Sequence, residues 1–196
     1  MGGLLHGERV RVTLINDTMM GHPIHIHGTQ FQVVGRTVRG VAVPVPYLVC
    51  EGANVMLFSR GEASLKETQL EIKDETGKEA AYTVGDVTEP EDIIQGVENT
   101  VTKFGPVFAL VNNAGGVSGP SGATEWVSEA EWDKIVDLNL KSQFLTCKAV
   151  IPYMKQRRYG KIVNVSSMGA IHPPAPIVHY HSAKAGVMGL TANLAS

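Results

Sequence analysis

The sequence predicts an α/β chain in which helices cover both faces of a doubly wound, mainly parallel sheet and a short β segment comes first. Three observations predict it. From residue 51 onward, short apolar runs alternate with longer stretches of helical character. Residues 1–50 show period-two alternation and no helical period. The chain has 196 residues, 43% hydrophobic and 18% charged, enough for one full domain with a sizeable core.

The first fifty residues read as β. "ERVRVTLIND" alternates, with Val10, Val12 and Leu14 on one face, and turn-forming residues close it. "IHIHGTQFQVVGR" alternates again. "VAVPVPYLV" is apolar but carries Pro44 and Pro46, which suits an edge or irregular strand. The texture changes at Cys50–Glu51, the expected boundary between a segment 1–50 and a domain 51–196.

Beyond that boundary the elements follow in order. "NVMLFSR" predicts a buried strand, and "EASLKETQLEIKDETG" a polar-faced helix stopped by Gly77. "AAYTVGDV" predicts a strand. "TEPEDIIQGVENTVTKFG" predicts a helix opened by a capping box at Thr88 and Glu91, with Pro90 in the first turn. "VFALVNNAG" predicts a strand. Ser128 and Glu131 have capping-box spacing ahead of one long helix, "WDKIVDLNLKSQFLTCKAVIPYMKQ". "KIVNVSS" predicts a strand, and "YHSAKAGVMGLTANLAS" a final helix. Strands separated by helices of this length imply crossover connections and parallel pairing.

Charge excludes some functions. The formal net charge is -2, and "KQRR" at 155–158 is the only local basic cluster, so no nucleic-acid partner is expected. The two cysteines, Cys50 and Cys147, form no disulfide framework, which suits a reducing, cytoplasmic setting. The start "MGGLLHGERV" has no signal-peptide pattern, and no apolar run is long enough to span a membrane.

Tyr180 and Lys184 are four apart in an expected helix and so share a face. A free phenol has a pKa of about 10, and a nearby ammonium favours its phenolate. Ser166 and Ser167 end an expected strand, at the sheet edge where open α/β sheets bind ligands. Asn139 interrupts an otherwise apolar helix pattern and can hold a water near Lys184. Together these are parts for moving a proton to or from a carbonyl or alcohol oxygen.

Residues 51–196 resemble the short-chain dehydrogenase/reductase family. The resemblance rests on "NNAG" at 112–115, Asn139 within "VDLNLKSQF", "NVSS" at 164–167 and "YHSAK" at 180–184, in that order. Ser167, thirteen residues before Tyr180, matches better than Ser166. The resemblance implies that Tyr180 is the general acid or base, that Lys184 lowers its pKa and holds the nicotinamide ribose, and that Ser167 bonds the substrate oxygen. It implies that Asn139 supports a water-linked proton relay, that Asp86 contacts the adenine, and that Val87, Asn112, Ala114 and Gly115 belong to the cofactor site. The expected partner is a small carbonyl or alcohol substrate, and a homo-oligomer is compatible with the family. Ser59 and Arg60 follow the first strand after the boundary. A guanidinium there suits a 2′-phosphate, which favours NADP over NAD.

The family's glycine-rich first strand–turn–helix unit has no counterpart in residues 1–50, and its last strands have none after "ANLAS". The expected sheet is therefore an incomplete Rossmann-like one. An N-terminal strand, "RVRVTLI" or "FQVVGR", is expected to fill the central position and pair with residues 54–58.

Residues 7–50 resemble the C-terminal cupredoxin domain of multicopper oxidases, on "HPIHIHG" at 22–28. That resemblance implies that His22 binds a type 1 copper and that His25 and His27 reach a trinuclear cluster. The thiolate and further imidazoles of a blue-copper site have no match in this chain. The readings left open are an NADP-linked reductase, a copper-binding oxidase fragment and an inactive fusion of two segments.

Overall fold

The computed structural model describes residues 53–117 and 123–195. Their element order is strand β1 (Met56–Ser59), helix α1 (Glu62–Thr76), β2 (Ala81–Val84), α2 (Pro90–Phe104) and β3 (Ala109–Asn112). A 3-10 turn (Thr124–Trp126), α3 (Glu129–Val136), a π-helical turn (Asp137–Lys141) and α4 (Ser142–Arg157) come next. β4 (Lys161–Asn164), a second 3-10 turn (Met168–Ala170) and α5 (Val178–Leu194) complete the series.

The α/β alternation and parallel pairing expected from the sequence are both present. β1 pairs with β2, Met56 opposite Ala81, and β3 pairs with β4, Ala109 opposite Lys161. Both pairs are parallel, and among the described residues no strand joins one pair to the other. The N-terminal strand expected at that position lies outside the described residues. What links the two halves here is helix packing, α2 against α4.

Local chemistry explains most of the element boundaries. α1 stops where Gly77 turns left-handed at φ 70 and its N–H reaches the Lys73 carbonyl. Ser128 caps α3 as its spacing predicts: its hydroxyl accepts from the Glu131 N–H, and the Glu131 carboxylate accepts from the Ser128 N–H at 3.1 Å.

Two expectations need correction. Thr88 does not cap α2. The cap position is Glu89 with no side-chain bond, and the Thr88 N–H and hydroxyl both go to Asp86 Oδ1 at 2.9 and 2.8 Å. Asp86 lies two residues back, so its carboxylate closes a local turn on Thr88 and the helix starts one residue later, with Glu89 at the cap. The single long helix expected from Trp132 onward is instead two helices joined by the π turn around Asn139.

The core is divided like the sheet. Leu57, Leu65, Ile72 and Ala80 cluster under α1, with Ile72 fully buried. Ile135, Cys147, Val150 and Val187 are buried on α3, α4 and α5. The buried positions 139, 143, 147, 150 and 154 trace one stripe along the π turn and α4. Two of them, Asn139 and Gln143, are polar. No helix among the described residues is long and apolar enough to cross a membrane.

Candidate active site

Parallel pairing brings the carboxyl ends of β1 and β2 to one edge, and those of β3 and β4 to one edge. Ser59 and Arg60 follow β1, Asp86 and Val87 follow β2, Asn112 to Gly115 end and follow β3, and Ser166 and Ser167 follow β4. α5 then lays Tyr180 and Lys184 across the end of β4.

Tyr180 and Lys184 are buried, at 3% and 2% exposure, and the Lys184 ammonium stands 5.8 Å from the Tyr180 ring centroid. The Ser167 hydroxyl lies near enough to the Tyr180 phenol to favour its ionised form, and its oxygen accepts from the Gly169 N–H at 3.2 Å. Ser166 is used differently. Its hydroxyl donates to the Lys184 backbone carbonyl at 2.7 Å and ties α5 to the end of β4. The preference for Ser167 over Ser166 therefore agrees with the geometry.

Lys184 Nζ donates to the Val165 carbonyl at 3.0 Å. Burial lowers its ammonium to about 8, and among the described residues no opposite charge compensates for the lost water. Burial also raises the Tyr180 phenol above its ordinary value, against the smaller lowering effect of the Ser167 hydroxyl. The sequence suggests a phenol made easier to ionise by its lysine neighbour. The structure instead aims that lysine at a carbonyl and shifts the phenol the other way.

Asn139 is fully buried within the π turn. Its Nδ2 donates to the Gly116 and Ile135 carbonyls at 2.8 and 2.9 Å, and its Oδ1 accepts from the Gly116 N–H at 3.0 Å. The extra residue of the π turn thus pins the loop after β3, a common place for such a bulge. Asn139 and Lys184 meet at Gly115. A methyl group there would stand 2.7 Å from Asn139 Oδ1 and 3.0 Å from Lys184 Nζ. The absence of a side chain leaves an approach bordered by an amide oxygen and an ammonium, an acceptor and a donor that suit a ribose hydroxyl.

The remaining positions divide. Arg60, its side chain 76% exposed, lies 3.5 Å from Asp86 Oδ2, so these two expected cofactor residues sit together. Partial burial works to raise the Asp86 carboxyl, but the Thr88 donors and the Arg60 guanidinium hold it below its ordinary value. Ser59 is half-buried, and its hydroxyl accepts from the Gly61 N–H at 3.4 Å. Val87 is half-buried and Ala114 exposed. Asn112 faces inward: its amide donates to Asn164 Oδ1 at 2.8 Å and accepts from the Thr146 hydroxyl at 2.6 Å. Its side chain joins β3, β4 and α4, and its backbone carbonyl accepts from the Val165 N–H at 2.9 Å.

The sequence reading passed over Gln143. It is 1% exposed, donates to the Asn139 and Val165 carbonyls at 3.3 and 3.2 Å, and leaves its Oε1 buried without a partner. A polar residue four positions after Asn139 on an otherwise apolar stripe was the available signal. His22, His25 and His27 lie outside the described residues. Among the described residues no cluster of three metal-ligating side chains occurs.

Residues 42–196 match the short chain dehydrogenase family and residues 3–46 the multicopper oxidase family. Among curated relatives, a 3-oxoacyl-[acyl-carrier-protein] reductase of Thermotoga maritima is 36% identical over 141 residues, 72% of this chain and 56% of that protein. Among solved structures, an actinorhodin polyketide ketoreductase variant with NADPH superposes with TM-score 0.72 at 34% identity, covering 77% of this chain and 57% of its own. An NAD+-bound xylitol dehydrogenase gives TM-score 0.72 at 28% identity, with the same coverage. The chain spans 52% to 62% of the length of such curated relatives. The family match and the parallel strands with Tyr180, Lys184 and Ser167 at their carboxyl edge lead to one assignment: this chain belongs to the short chain dehydrogenase family.

Proposed function

We propose that the chain carries the proton-transfer machinery of an oxidoreductase that interconverts a carbonyl and an alcohol, with NADP as its preferred dinucleotide. The observation that carries this reading is the convergence of the Ser167 hydroxyl on the Tyr180 phenol, with the Lys184 ammonium 5.8 Å from the same ring. A carbonyl oxygen placed between Ser167 and Tyr180 would accept from both.

The upward shift of the phenol suits the reducing direction. Tyr180 keeps its proton at neutral pH and so acts as the acid that delivers it to the carbonyl oxygen. When bound, the nicotinamide supplies the hydride to the carbonyl carbon. The Lys184 ammonium steadies the phenolate left behind and, at the opening beside Gly115, is placed to hold a ribose hydroxyl. Asn139 keeps the loop after β3 in register with Lys184.

Arg60 supports the preference for NADP. Its guanidinium is exposed at the end of β1, and a 2′-phosphate is a stronger partner than the single long contact with Asp86. Titration of the protein into NADPH and NADH, followed by nicotinamide fluorescence, tests the reading. It predicts enhancement with NADPH above that with NADH, loss of the preference in Arg60→Ala and loss of binding in Lys184→Ala. Equal signals from wild type and Lys184→Ala would contradict it.

A further inference from the structure

Gln143 and Lys184 come from different helices, α4 and α5, and donate to the same oxygen, the Val165 carbonyl, at 3.2 and 3.0 Å. Their two nitrogens therefore lie within about 6 Å of each other, both buried. The same Gln143 amide nitrogen donates to the Asn139 carbonyl of the π turn at 3.3 Å. One carboxamide thus connects the backbone of Asn139, the end of β4 and the lysine.

The amide orientation follows from these partners. Nε2 faces two carbonyl oxygens, and turning the group over would set Oε1 against both. The partner-free Oε1 is the cost of that arrangement, and a buried orphan acceptor is retained in a folded chain only where something else requires the group.

We infer that Gln143 is a positioning residue for Lys184, acting through the Val165 carbonyl that the two side chains share. The amide holds the carbonyl in place and occupies one of its two lone pairs, so the oxygen's partial charge is shared between the amide and the ammonium. A lysine held in this way is poised to release the carbonyl and turn toward a ribose hydroxyl or a phenolate. The inference rests on the reading of Lys184 as the amine that serves cofactor and phenol. Among the described residues no charged side chain offsets its ammonium: Tyr180 shares its helix, Asn139 and Gln143 face it from the π turn and α4, and Asp137 and Lys141 pair with each other at 3.1 Å on the exposed side of that turn.

The test is the ionisation of Lys184, followed by carbon NMR of protein labelled at lysine Cε, with Lys184→Ala identifying the resonance. This readout needs neither nicotinamide nor turnover, so it stands apart from the enzymatic reading. Wild type should titrate near 8. Gln143→Met keeps the length and removes both donors, and should move the midpoint up by about one unit as the ammonium gains the whole carbonyl. Should that variant fail to fold, Gln143→Glu replaces it. A carboxylate there should raise the midpoint by about one to three units. An unchanged or lowered midpoint in the folded variant would overturn the inference.

Discussion

Replacing Lys184 by methionine should make the protein more stable at neutral pH. The substitution keeps an unbranched, buried side chain and removes the charge. Burial holds the ammonium at about 8 where an unperturbed lysine titrates at 10.5, and at about 1.4 kcal/mol per unit this disfavours folding by about 3 kcal/mol. Below pH 8 the folded and unfolded chains both carry the proton, so the full penalty applies. Between 8 and 10.5 the folded chain gives up the proton while the unfolded chain keeps it, and stability rises with pH. Above 10.5 neither form is charged and the penalty is gone. The hydrogen bond from Lys184 to Val165 offsets about 1 kcal/mol of the gain, so Lys184→Met should be more stable by roughly 2 kcal/mol at pH 7. The difference should vanish or reverse by pH 10.5. Urea unfolding of both proteins at the two pH values measures it. All other titrating groups are shared, so the comparison isolates this one. Equal or lower stability of Lys184→Met at pH 7, or a gap independent of pH, would refute the reasoning.

Other perturbations have equally definite outcomes. Gly115→Ala places a methyl 2.7 Å from Asn139 Oδ1, which three hydrogen bonds hold still; it should cost about 1–3 kcal/mol in urea unfolding and weaken NADPH binding in fluorescence titration. Ser128→Ala removes the reciprocal cap of α3 and should lower stability by about 1 kcal/mol, read as a melting temperature lower by about 2–4 °C, with no effect on nicotinamide binding. Cys147 is buried and its thiol pushed up to about 11; in a Cys50→Ser background it should resist a thiol-reactive dye at pH 8 and react fully in denaturant.

The order of the elements was legible because it rests on local patterns. Strand and helix alternation carries its own periodicity, and the Ser128–Glu131 box uses partners three residues apart. Thr88 misled because Asp86, two residues back, closes a local turn on it, and capping-box spacing does not register that turn. The π turn was hidden because the buried positions 135, 139 and 143 keep a four-residue spacing that an ordinary helix also uses. Tyr180 and Lys184 share a helix face, as their spacing requires, but spacing does not say where a flexible amine points. That depends on the Val165 carbonyl, nineteen residues earlier in the chain. Gln143 was passed over for the same reason, since its meaning appears only when α4 and β4 are brought together.

The central claim is that Tyr180 passes a proton to a carbonyl oxygen held by Ser167 beside a nicotinamide. Its most direct measurement is the loss of NADPH absorbance on addition of small ketones, a β-keto ester among them, with wild type and Tyr180→Phe compared after each is shown to bind NADPH. The account predicts turnover by wild type and a loss of at least a hundredfold in Tyr180→Phe with binding retained. Turnover by Tyr180→Phe at the wild-type rate would contradict it.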